Sequence, residues 1–258
     1  MRNILSLAHV GLLRQFAWSN VLLAFDYDGT LAPIVSDPAR ATMRAGTRGL
    51  LDRLTRAYPC IVISGRSRAD ASRLLRGTGV LQVIGNHGAE PLAGNERFLR
   101  KVALWKPQLA QRLDGLRGVS IEDKTYSVAV HYGRSRRKGE ARAAILAAAE
   151  SLAGVRIIGG KQVVNLLPEG APHKGIALER ERTRFACDTA IYVGDDETDE
   201  DVFSMDQPGR LLPIRVGPKR TSAATYHISS QAEIDGLMRA LLELRRGREA
   251  REGLRAAR

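Results

Sequence analysis

Asp26 and Asp28 stand one residue apart in an Asp-Tyr-Asp-Gly-Thr run that ends at Thr30. Carboxylates at alternate positions leaving a strand could share one hard cation while one of them attacks a substrate. Gly29 permits the sharp turn that lets the backbone approach a phosphate. Calcium loops also carry Asp-x-Asp-Gly, but they sit between helices and close on a glutamate at fixed spacing. Here an apolar strand precedes. A second cluster, Ser64-Gly65-Arg66, offers a hydroxyl and a backbone N–H at a helix start, which together make a small anion site. By itself this cluster reads as a structural turn and helix cap. Gly194 to Glu200 places five acids in seven residues, a density that a bound cation or basic partners would relieve. A solvated acidic loop is the alternative. Lys174, in His173-Lys174-Gly175, could neutralise a phosphate and hold carboxylates, and taken alone it is equally a surface lysine opening a helix.

The elements around these clusters decide whether they meet. Val21 to Phe25 is a continuous apolar run, the pattern of a strand buried on both faces of a parallel sheet. A helical pattern over Met43 to Ala57 follows, then a strand over Cys60 to Ile63, a helix over Ala69 to Leu75 and a strand over Val80 to Ile84. This alternation predicts an α/β fold with a doubly wound, Rossmann-like parallel sheet. The character then changes. Thr125 to Tyr132 alternates apolar and polar residues, Gly139 to Leu152 is an alanine-rich helix, and Val155 to Ile158 with Gln162 to Leu167 predicts a hairpin turning at Gly159-Gly160. After Pro172 the first pattern resumes, with a helix over Lys174 to Thr183 and a strand over Thr189 to Val193. The chain therefore divides into a core of residues 1–100 and 171–258 and a smaller inserted α+β module of 101–170. In open α/β sheets ligands collect beyond the carboxyl ends of the strands, and three of the polar clusters directly follow strands.

Bulk properties narrow the partners. The 258 residues are 44% hydrophobic and 26% charged, ordinary for a soluble globular protein. No apolar run approaches the roughly 20 residues that span a bilayer. His9, Arg14 and Gln15 break the apolar stretch from Ile4 to Ala17, which reads as an amphipathic helix rather than a signal peptide. Cys60 and Cys187 suit reduced, buried thiols in a cytoplasmic protein. The net charge of +12 is carried almost wholly by arginine, since only seven residues are lysine. Much of the excess lies in Arg239 to Arg258, interspersed with glutamates and without aromatic residues, which predicts a solvated basic helix and no nucleic-acid partner.

In their order along the chain, the four clusters resemble the motifs of the haloacid-dehalogenase superfamily: DxDGT, a Ser or Thr after the second core strand, a Lys, and an acidic GDxxxD loop. The insertion before the lysine resembles the subclass with an α+β cap between the second and third motifs. Within that subclass nearly the whole chain is similar to the trehalose-6-phosphate phosphatase family. The matching stretches are DYDGTLAPI from Asp26, SGR from Ser64, GNHGAE from Gly85, EDK from Glu122, HY from His131, GK from Gly160, HKG from His173 and GDDETDEDVF from Gly194. The acidic loop and GNHGAE are the most family-specific of these. Two positions depart: Gly133 follows HY where the family has Arg, with Arg134 one residue later, and Asn165 stands where the family has Glu.

The resemblance implies that Asp26 attacks phosphorus to give an aspartyl-phosphate, that Asp28 serves as acid and then base, and that Ser64 and Lys174 clamp the transferring oxygens. It implies magnesium held by Asp26, the Asp28 carbonyl and Asp195, with Asp196 acting through water, while Asp199 orients Lys174. Gly65, Arg66, Asn86, His87, Glu122, Lys124 and Lys161 would bind the substrate. The expected partner is a small sugar phosphate, with no nucleic acid and no membrane. Oligomeric state is left open, a monomer being the default. A sucrose-phosphate or mannosyl-phosphoglycerate phosphatase with the same core and cap stays open, as does a phosphomannomutase-like enzyme. A non-catalytic domain should have lost one of Asp26, Asp28, Lys174 or Asp195, and all four are present.

Overall fold

A computed structural model describes residues 1–35, 40–91 and 96–256, with side chains to residue 248. In chain order its elements are β1 (Arg2–Asn3), α1 (Val10–Trp18), β2 (Val21–Phe25), α2 (Ala45–Ala57), β3 (Cys60–Ile63), α3 (Arg68–Leu74) and β4 (Gln82–Ile84). There follow α4 (Glu96–Arg112), β5 (Ser120–Asp123), β6 (Val128–His131), α5 (Lys138–Glu150), β7 (Val155–Gly160) and β8 (Val163–Pro168). The last group is α6 (Lys174–Arg184), β9 (Thr189–Gly194), α7 (Glu200–Phe203), β10 (Leu211–Val216), β11 (Tyr226–Ile228) and α8 (Ile234–Ala256).

Seven parallel strands form one sheet in the order β1-β11-β10-β9-β2-β3-β4. Because side chains alternate across a strand, the apolar run of β2 feeds both faces. Val21, Leu23 and Phe25 join a cluster with α1, α2 and α8, while Leu22 and Ala24 join one with α6 and α7. The doubly wound sheet expected from the sequence is therefore what forms. Four antiparallel strands, β5-β6-β8-β7, make a second sheet. One face of it packs on α4 and α5 through Trp105, Leu109, Ile145, Val130 and Leu166. No helix among the described residues is long and apolar enough to cross a membrane. Both cysteines are buried and unpaired.

Three sequence expectations change. The N-terminal helix starts at Val10 rather than Ile4, because Arg2–Asn3 instead pair with β11 at the sheet edge. The C-terminal helix is not merely solvated: Leu237, Met238, Leu241 and Leu242 are buried against α1 and α2. The β7–β8 hairpin turns at Lys161-Gln162, where Gln162 takes φ 62°, and Gly159 and Gly160 are paired strand residues. Those glycines lie close to the site. A Cβ on Gly159 would collide with Glu197 of the acidic loop, so the hairpin lies directly on that loop.

Candidate active site

Parallel pairing of β2 with β9 puts Phe25 level with Val193. The Asp26 N–H still donates to the Val193 carbonyl at 2.8 Å, so the chain leaves both strands at the same height. Asp26 and Asp195 are thereby brought together from opposite halves of the sequence. The turn after Asp26 is closed by Gly29 N–H to Ala32 O and Ala32 N–H to Tyr27 O, both 2.8 Å. Gly29 has φ +80°, and any Cβ there would sit inside the Asp195 carboxylate, so only glycine allows this approach.

Lys174 opens α6 and is 1% exposed. Its Nζ lies 3.0 Å from Asp26 Oδ1 and 2.7 Å from Asp199 Oδ1. Burial opposes the ammonium charge, but Asp199 and Asp26 outweigh it and hold the group well above the usual lysine range. Both Asp199 oxygens are engaged: Oδ1 also accepts from the Tyr192 hydroxyl at 2.6 Å, and Oδ2 accepts from the Asp196 N–H at 2.8 Å. In the structure it therefore touches both Lys174 and the backbone of the acidic loop. Asp26, Asp195 and Asp199 offer carboxylate oxygens all within 4.8 Å of one another. Burial raises Asp26 to about 7 against the pull of Lys174, with Asp199 and Asp28 adding repulsion. Burial, then the charges of Asp26, Asp199 and Asp196, push Asp195 up to about 9. One lysine thus leaves this group short of positive charge, and hard carboxylate donors suit a divalent cation. Asp26 and Asp195 fit such an ion. Asp196 stands apart from the three-carboxylate group, lines the cleft, and caps the Glu197–Asp199 turn.

Asp28 is gripped by Arg66, whose Nε donates to Oδ2 at 2.6 Å and Nη2 to Oδ1 at 2.7 Å. Arg66 also donates to Asp70 at 2.6 Å. The structure thus joins two residues that the sequence treated separately, one as acid and one as substrate ligand. Ser64 is fully buried, and its Oγ accepts from the Arg66 N–H at 3.2 Å. Gly65 faces the His87 ring so closely that a Cβ there would clash with it.

A cleft of about 430 Å³ opens between the two sheets. Asp26, Asp28, Gly65, Arg66, His87, Glu122, Lys124, Lys161, Lys174, Asp195 and Asp196 all line it. Asn86 and Ser64 do not. Asn86 is a strut across the seam instead: its Nδ2 donates to the Lys124 carbonyl at 2.7 Å, and its Oδ1 accepts from Ser127 at 2.8 Å. Lys124 ties the same seam, donating to the Gly65 carbonyl at 3.0 Å. Arg156 of β7 pairs with Asp201 of α7 on the far side. Both ring nitrogens of buried His87 lack a hydrogen-bond partner. Burial, together with Lys124, Lys174 and Arg156, holds that ring well below the ordinary histidine value, so it faces the cleft neutral.

Sequence reasoning passed over several lining residues. His131 lies 2.7 Å from Glu122 through Nε2, and this contact, ahead of the nearby Lys124 charge, lowers the Glu122 carboxyl below its usual range. The alternation of β6 was the available signal, since it puts His131 on the face opposite buried Val130. Ile34, Val35 and Ala41 give one end of the cleft an apolar wall.

The two-sheet architecture with acids at the ends of β2 and β9 resembles that of a solved haloacid-dehalogenase-superfamily sugar phosphatase, which superposes with TM-score 0.56 at 15% identity, covering 86% of this chain and 98% of that one. A family model for trehalose-phosphatase matches residues 24–232, and the chain belongs to that family. It is 34% identical over 228 residues to a trehalose-phosphate phosphatase of Mycobacterium ulcerans, a match covering 81% of this chain and 58% of that protein. The chain thus spans little more than half the length of the curated relatives it matches. Among solved structures, the C-terminal domain of a C. albicans trehalose-6-phosphate phosphatase superposes with TM-score 0.78 at 23% identity, covering 90% of this chain and 96% of that one. A trehalose-6-phosphate phosphatase related protein gives TM-score 0.69 at 27% identity, covering 87% and 99%.

Proposed function

We propose that this chain hydrolyses trehalose 6-phosphate to trehalose and phosphate, with magnesium bound and with Asp26 as nucleophile. The observation that carries this reading is Asp26 held at 3.0 Å by buried Lys174 at the floor of a cleft roofed by Glu122, Lys124 and Lys161. Residues 1–100 and 171–258 act as the catalytic core and 101–170 as the cap, supported by separate apolar clusters in the two sheets. Two buried, unpaired thiols support a cytoplasmic setting.

An Asp26 oxygen forms a bond to phosphorus as the bond to the sugar oxygen breaks, and water later cleaves the acyl phosphate. Asp28 gives the departing sugar oxygen its proton and takes one from the attacking water. In the structure both Asp28 oxygens are held by Arg66. An arriving phosphate dianion offers the guanidinium a second bidentate partner, which releases Asp28 for that work. Lys174 holds the transferring oxygens, while Ser64, buried behind the cleft wall, accepts from the Arg66 N–H and so supports the turn that carries Arg66. Asp26, the Asp28 carbonyl and Asp195, with Asp196 through water, would hold magnesium, which supplies positive charge against the developing phosphoryl charge. Neutral His87 can both donate to and accept from a sugar hydroxyl.

Phosphate release over a panel of trehalose 6-phosphate, sucrose 6-phosphate, glucose 6-phosphate and a small aryl phosphate tests the assignment. Trehalose 6-phosphate is expected to lead by a wide margin with magnesium and to be inert in excess chelator. Glu122→Ala should cost about 1.5–3 kcal/mol of transition-state stabilisation on the disaccharide, as for a hydrogen bond to a charged group, and little on the aryl ester. Lys124 is a poorer probe because it also ties the seam to Gly65. A faster rate with sucrose 6-phosphate, or equal Glu122 losses on both substrates, would overturn the substrate assignment.

A further inference from the structure

Arg215 lies on β10 level with Gly194 of β9, and its side chain is 7% exposed. A buried guanidinium below a loop of five acids would be expected to pair with the acids that line the cleft. It pairs instead with Glu200, the last of the five, which does not line the cleft. Its Nη2 donates to the main-chain carbonyl of Asp195, and its Nη1 donates to the carbonyl of Asp196 at 3.3 Å and to Glu200 Oε1 at 3.0 Å. Glu200 is itself fixed from the other side, since its Oε2 accepts from the Ala223 N–H at 2.9 Å. The cation therefore grips the loop by its backbone and is anchored by an acid that points away from the cleft.

We infer that Arg215 is a positioning residue: it fixes the Asp195-Asp196 backbone so that both carboxylates stand ready for a divalent cation. This rests on the magnesium reading above. Two effects of opposite sign make the inference testable. As a charge, Arg215 repels a nearby cation, so its removal by itself should tighten metal binding. As a fork gripping two successive carbonyls, it pre-organises the ligands, so its loss should weaken binding. The geometry favours the second, because two donors converge on the loop backbone and no site carboxylate is consumed.

The experiment is calorimetric titration of magnesium into the whole chain, wild type against Arg215→Lys, Arg215→Gln and Glu200→Gln. Lysine keeps the charge and loses the fork, so it isolates positioning. Arg215→Lys and Arg215→Gln are expected to bind magnesium roughly 10–100-fold more weakly, as when groups supporting metal ligands are removed. Glu200→Gln should weaken it less, in the same direction. At saturating magnesium, turnover of Arg215→Lys should return to within a few-fold of wild type. Unchanged affinity in Arg215→Lys with a lowered melting temperature would mean a merely structural bridge and would overturn the inference. Tighter binding in Arg215→Gln would overturn it too. Should the Arg215 variants not fold, unchanged affinity in Glu200→Gln has the same force. Failure of the wild type to bind magnesium would instead overturn the metal reading and this inference with it.

Discussion

Asp26→Asn is expected to lower turnover by about four or more powers of ten, because it removes the oxygen assigned to attack phosphorus. Asparagine keeps the shape and loses both the nucleophilic oxygen pair and the charge. The consequence for stability is small because two changes oppose. Burial and the neighbouring acids disfavour the Asp26 charge, so its loss relieves them. Lys174 loses the opposite charge at 3.0 Å, where an amide oxygen can still accept, and keeps Asp199 at 2.7 Å. A net change of about 1 kcal/mol either way corresponds to about 2–4 °C in metal-free melting temperature for a chain of this size. Wild type quenched during turnover should carry a hydroxylamine-sensitive phosphoryl label that the variant lacks. Turnover within about tenfold of wild type would remove Asp26 from its assigned role.

Lys174→Met is expected to harm both fold and chemistry. Methionine fills the volume but leaves Asp26 and Asp199 buried without their cation, an uncompensated arrangement that costs roughly 3–5 kcal/mol. Melting temperature should fall by about 10 °C without metal, and turnover by about a hundredfold or more through loss of a transition-state clamp. Added magnesium should recover part of the lost stability, since it supplies positive charge to the same carboxylates. Lys174→Arg should not restore activity, because a planar fork does not match a site built around a point charge. A Lys174→Met protein that melts within about 2 °C of wild type would show that the carboxylates are balanced by something other than this lysine.

What could be read from the residues was governed by where the signal resides. β2, β3 and β9 are uninterrupted apolar runs ending in polar clusters, and such strands announce both themselves and the site at their ends. β1 is two residues long, and β5 is largely exposed, so neither has an apolar pattern to detect. β10 carries Pro213 and Arg215, which disguise a core strand. Arg215 was invisible for the same reason, since its partners lie on a neighbouring strand's loop. Asn86 shows the opposite limit. Its motif marks the right region, yet only the three-dimensional seam reveals that its amide spans two carbon-built layers rather than facing the cleft. Strand order too is a long-range property: nothing within β9 says that it pairs with β2, although that pairing sets Asp195 beside Asp26.

The same pairing bears on the order of synthesis. β9 is a central strand, hydrogen-bonded to β2 on one side and β10 on the other, and the chain reaches it only after the whole antiparallel module has been made. A nascent chain that has emerged only as far as residue 188 holds Asp26 and Lys174, yet β2 lacks one neighbour and its inner edge is bare. Closing so long a loop costs about 4–5 kcal/mol in chain entropy, lessened once the intervening module has folded and drawn its own ends together. The module thus shortens the search that unites the two halves of the core. Pulse-labelling hydrogen exchange during refolding should show β6 and β8 amides protected before those of β2 and β9, and the latter two protected together. Protection of β2 ahead of β9 would argue that the core's first half stands alone.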